Sequence, residues 1–122
     1  MVSLILWVIA PIFNAIMDLL ENENYYQSIF SKYNPKFWYK RESWNHTPDI
    51  LSYSLDAWHI AKSIMIVLLA VSAVMAGIEG PIIKFYSMYF NIFIEVGLRG
   101  ILWNVTFSLF YHKIFRLKHA QN

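Results

Sequence analysis

Three ionisable side chains, Asp18, Asp56 and His59, stand at the edges of long apolar runs. Asp56 and His59 are spaced i and i+3, which places them on one face of a helix. A carboxylate that orients an imidazole makes an acid/base pair. Two carboxylates with a neutral imidazole can also hold Zn, Mn or Fe. No HExxH or HxxxH pattern accompanies them. Asp56 also falls where a helix N-cap belongs, and there its oxygens would satisfy free backbone amides. Asp18, Asp56 and His59 are therefore candidate catalytic or metal-binding residues. The other readings of the same residues are a proton or ion path, or a buried polar cluster in which Asp18 pairs with His59 or Lys62. Nothing in the sequence specifies a cofactor.

A second polar group lies deeper. Glu95 and Arg99 are i and i+4, a spacing that lets them pair along one helix face, and Asn104 follows in the same apolar run. Ionisable groups at such positions are costly in hydrocarbon and need a partner. Gly97 and Gly100, with Ser63, Ser72 and Ala73, would allow neighbouring helices to approach closely.

The elements that must position these groups are membrane spans. The chain has 122 residues, 57% of them hydrophobic and 15% charged, with a mean hydropathy of +0.39. A soluble domain would carry about a quarter charged residues. Spans of roughly 20 apolar residues are expected at about 2–20, 57–77 and 89–111. The first lacks a basic leader and a small-residue cleavage site, so it reads as a retained span kinked at Pro11. The third starts near Pro81, with its first turns in the interface or with a bend near Gly97 and Gly100. The expected fold is a single all-α membrane domain over 1–122 with three transmembrane helices.

Residues 21–55 form an interfacial cap between the first two spans. Tyr25, Tyr26, Phe30, Tyr33, Phe37, Trp38, Tyr39, Trp44 and Tyr53 alternate there with Lys32, Lys36, Lys40 and Arg41. Tyrosine and tryptophan favour the headgroup level, and basic stems snorkel toward phosphates. Lys36, Trp38, Lys40, Arg41 and Trp44 are the candidate interfacial contacts, and membrane lipids are the first expected partner.

With three spans, the tail residues Lys113, Arg116 and Lys118 share a side with the basic cap, while Lys84 lies opposite. The positive-inside rule then places the C-terminus in the cytoplasm and the N-terminus outside. A net charge of +2, spread along the chain, gives no nucleic-acid surface. Cysteine is absent, which excludes disulfides, thiolate metal sites and a cysteine nucleophile.

Met17-Asp18, Ser28-Ile29-Phe30, Asn34-Pro35-Lys36-Phe37-Trp38, Ser43-Trp44-Asn45 and Asp56-Ala57-Trp58-His59, with Phe110-Tyr111-His112-Lys113-Ile114, occur in this order. Together they resemble a family of small, uncharacterised membrane proteins encoded by Bacteroidota and by phages that infect them. The resemblance covers about residues 14 to 115. It implies a bacterial or phage-encoded protein of the bacterial inner (cytoplasmic) membrane and carries no activity with it.

The expected function is a non-enzymatic membrane subunit or accessory protein, packing through its polar intramembrane groups as a homo-oligomer or within a larger membrane complex. The alternatives are a membrane-embedded, metal-dependent enzyme acting on a lipid headgroup through Asp18, Asp56 and His59, and a holin-like pore former.

Overall fold

The computed structural model describes residues 1–46, 48–50 and 53–118; positions 47, 51 and 52 of the expected cap and the last four residues lie outside them. Three helices are long and apolar enough to cross a membrane: α1 (Val2–Glu21), α4 (Ala57–Glu79) and α5 (Met88–Leu109). At 1.5 Å per residue each is ~30–35 Å long, matching a hydrocarbon core of ~30 Å. The protein is an all-α membrane protein with three candidate spans.

Helix α1 lies between the other two and supplies most of the contact with each. It runs through Pro11 without a break, and Pro11 is fully buried. Ser3, Ala10 and Met17, seven residues apart, are buried, as are Ala57, Ala61 and Ser72 of α4. Small residues let two backbones approach closely where lipid supplies no hydrophobic drive for helix association. Helices α4 and α5 otherwise present long apolar faces outward.

The segment from 81 to 87 is not helical, so the expected start of the third helix at Pro81 moves to Met88. Gly80, at φ 78°, ends α4 in the left-handed region that only glycine enters cheaply. Beyond it, Asn91 grips the chain: its Oδ1 accepts the Phe85 amide at 2.6 Å and its Nδ2 donates to the Phe85 carbonyl at 3.2 Å. Glu95 accepts the Ile82 amide at 3.2 Å. These side chains satisfy backbone groups that a helix would otherwise have paired, and Ser87 caps the new start.

The cap is a packed unit. Two 3₁₀ turns, Glu23–Gln27 and Ile29–Lys32, lead to two short helices, α2 (Pro35–Trp38) and α3 (Lys40–Ser43). Asn34 caps α2 ahead of Pro35, the residue best suited to a first helical position. A minimal antiparallel pairing of β1 (Asp49–Ile50) with β2 (Tyr53–Ser54) precedes α4. The core of this end joins Leu19, Leu20, Tyr25, Phe30, Tyr39 and Ala57. Tyr25 stacks on Tyr39 at 4.9 Å and Phe30 on Trp38 at 5.5 Å. Helix α5 ends in a wide π turn, Phe110–Ile114, and the chain after it lies along the cap. There Ile29 donates to the Phe115 carbonyl at 2.8 Å and Leu117 to the Gln27 carbonyl at 2.9 Å.

Candidate functional site

Two polar sites sit at opposite ends of the helices. The first is built on Asp56, which is fully buried. Its Oδ1 accepts the backbone amide of His59 at 2.8 Å, so it is the N-cap of α4. The same oxygen lies 2.8 Å from His59 Nδ1. Its Oδ2 accepts the Ser43 hydroxyl at 2.8 Å, which ties α3 to the start of α4. A carboxylate oxygen accepts, so Nδ1 is the donor when this contact forms and Nε2 is the ring nitrogen left over. A carboxylate stripped of water is stable only with such a full set of donors.

His59 faces a groove of about 640 Å³ whose other lining residues are Glu21, Asn22, Lys40, Arg41 and Trp44. Lys40 binds Glu21 at 2.7 Å and lies 3.5 Å above the Trp58 indole, and Lys62 approaches the same ring at 5.1 Å. Trp58 thus carries cations through its π face while its Nε1 is buried without a hydrogen bond among the described residues. Trp44 is largely exposed and donates its indole N–H to the Arg41 carbonyl at 3.0 Å.

Asp18 does not join this cluster. It is half-buried on α1 and forms no hydrogen bond or ion pair among the described residues. Among those residues no three His, Asp or Glu side chains gather closely enough to hold a metal ion. Asp56 and His59 come together, and the three-ligand arrangement with Asp18 does not form. The Tyr111 hydroxyl accepts from Asn24 Nδ2 at 2.8 Å. Of the expected interfacial residues, Lys36, Arg41 and Trp44 are exposed, while Trp38 and Lys40 are held in ring contacts.

The second site closes the other end. Arg99 is buried, donating to Glu95 at 2.8 Å, to the Ser3 hydroxyl at 3.2 Å and to the Ser72 hydroxyl at 3.4 Å. Ser72 donates to the Ser3 carbonyl at 2.7 Å. Ser3 Oγ in turn donates to Glu79 at 2.7 Å, and Glu79 also accepts the Val2 and Ser3 amides and the Met1 amino group. A carboxylate at a helix N-terminus meets both free amides and the positive end of the helix dipole. Trp7 completes the knot, donating to the Arg99 carbonyl at 2.9 Å with its ring 5.5 Å from the guanidinium. Asn104 lies outside it, donating to the Gly100 carbonyl of its own helix at 3.0 Å.

Sequence reasoning overlooked Ser3 and Glu79, and it gave Ser72 only as a small residue for close helix approach. Ser72 and Glu79 are seven apart and share a helix face, which was the readable signal. Ser43 gave no signal, because its partner lies across the cap.

Within the cap, burial raises the Tyr25 phenol above its ordinary value, and neighbouring Tyr26 and Glu42 push the same way. Tyr25 donates to the Tyr33 carbonyl at 3.1 Å.

Comparison with known proteins gives no match to a family model, a curated protein or a solved structure.

Proposed function

We propose that this membrane protein is a non-enzymatic assembly or accessory subunit that associates with a second copy of itself through the outer face of α4. The observation that supports this reading is a spacing: Ser63, Ala70 and Gly77 recur every seven residues on that face, and all three are exposed. Seven-residue spacing keeps small side chains on the seam between two nearly parallel helices. The chain uses the same device internally, where Ser3 and Ala10 of α1 are buried. A face that meets its own copy across a two-fold axis needs only to complement itself. Around the small residues, Ile66, Val67 and Val74 are each more than half exposed and supply apolar flanks. A bacterial inner membrane with the basic cap on the cytoplasmic side is the setting that fits the distribution of lysine and arginine.

The native chain has no cysteine, so Ala70→Cys introduces a single thiol. Oxidation in native membranes is expected to give a disulfide-linked dimer. Phe93→Cys, on the exposed face of α5, is expected to stay monomeric. Ala70→Leu should abolish association seen by any other method. Monomer alone from Ala70→Cys, or equal crosslinking at both positions, would overturn the reading.

A further inference from the structure

We infer that the groove between the end of α1 and the start of α4 binds a phosphate group, carried by an anionic lipid headgroup or supplied from solution. The inference goes beyond self-association, because it concerns the first turn of α4, where His59 stands, and a ligand of different chemistry.

The groove is lined by Glu21, Asn22, Lys40, Arg41, Trp44 and His59. Its cations are not equivalent. Lys40 is neutralised by Glu21 at 2.7 Å and fixed over the Trp58 ring at 3.5 Å. Arg41 is exposed, and its guanidinium forms no ion pair among the described residues. The groove therefore has a surplus positive charge in a forked donor that matches two phosphate oxygens. Asn22 uses Oδ1 to accept the Asn24 amide at 2.9 Å, so its NH₂ is the part left to donate. His59 is oriented rather than loose, with Nδ1 held on buried Asp56 and its side chain 23% exposed. The one carboxylate beneath the ring is engaged on both oxygens.

Location gives the second argument. Glu21 ends one span and Asp56 caps the next, so the groove opens at the depth where apolar helices stop. Lipid phosphates lie at that depth, and tryptophans such as Trp44 favour it. Cations there attract anionic lipid by ~1 kcal/mol each.

The test uses the full chain in phosphatidylcholine nanodiscs with or without phosphatidylglycerol, reading lipid retained on extraction by native mass spectrometry. Wild type is expected to retain phosphatidylglycerol preferentially. Lys40→Gln with Arg41→Gln should cut that preference on the order of tenfold, and Arg41→Gln alone should cut it without altering thermal stability. Lys84→Gln makes the same charge change in the segment joining α4 to α5 and should leave the preference intact. Glycerol 3-phosphate added as competitor identifies the source. Displacement of the lipid means that phosphate alone is recognised, failure to displace means that the acyl chains contribute, and either keeps the site. No preference for phosphatidylglycerol over phosphatidylcholine, or full preference in the double variant, overturns it. The dimer-disrupting Ala70→Leu should retain the preference, which separates this result from self-association.

Discussion

Asp56 Oδ1 lies 2.8 Å from His59 Nδ1 while also capping the helix that carries the ring. One oxygen therefore sets the start of α4 and the orientation of its first polar side chain. Asp56→Ala removes the cap, the ring anchor and the acceptor for Ser43, and is expected to lower stability by about 2–4 kcal/mol. Asp56→Asn keeps an acceptor for the cap and should cost about half as much. Thermal unfolding in detergent measures both. Equal stability of Asp56→Ala and wild type would show that the cluster holds nothing together.

Asp18 presents the opposite case, a half-buried carboxylate in a span with no hydrogen-bonding partner among the described residues. A charge so placed is costly, so Asp18→Asn is expected to match wild type or exceed it by about 1 kcal/mol in the same unfolding assay. A marked loss of stability would mean that the carboxylate is held by an interaction specific to its charge.

The Arg99 knot joins all three helices. Arg99→Met leaves the half-buried Glu95 without its cation and takes the guanidinium from the Ser3 and Ser72 hydroxyls, and the expected loss is about 2–4 kcal/mol. Adding Glu95→Gln removes the stranded charge and should recover part of that loss. A double-mutant cycle measures the coupling, and strict additivity of the two substitutions would contradict the pairing.

The cap should respond to alkali. The raised Tyr25 ionisation means the folded state favours the neutral phenol. The associated stability is fully present below the unfolded value of about 10 and is lost as pH rises through the higher folded value. Thermal unfolding between about pH 9 and pH 12 should show this fall in wild type, and Tyr25→Phe should flatten it. Parallel curves for the two proteins would assign the alkaline loss to other groups.

The closure of the tail on the cap can be read by hydrogen exchange. The amides of Ile29 and Leu117 are expected to exchange slowly, because each donates across this junction. Phe115→Ala removes ring contacts to Phe30 and Phe110, both at 5.3 Å, and should speed exchange at both amides together. Acceleration at only one would show that the two bonds open separately.

The three spans were legible because apolar length is a property of contiguous sequence, and Val2–Glu21 and Ala57–Glu79 lie close to the expected limits. The start of α5 was not. Pro81 suits a first helical turn, but the choice was decided by Asn91, whose side chain pairs with Phe85 six residues earlier. The i,i+3 and i,i+4 spacings of Asp56–His59 and Glu95–Arg99 are local, and both pairs form within hydrogen-bonding distance. The hydrogen-bonding roles of Ser43 and Ser3 could not be read, and Ser72 was legible only as a small residue on the helix face of Glu79, since a serine's value depends on what folding brings opposite it. Standing at the edges of two neighbouring apolar runs did not bring Asp18 to His59, because an edge position leaves rotation about α1 open.

Arg99 carries Glu95 one turn before it on the same helix. During synthesis this arginine reaches the membrane after Ser3, Ser72 and Glu79, which belong to the two earlier helices. It therefore enters the bilayer with its own counter-ion and transfers as a dipole, well below the cost of a bare cation. Its serine partners lie on the two helices made before it. The order of residues along the chain is thus also an order of safe insertion, with the most expensive charge threaded last.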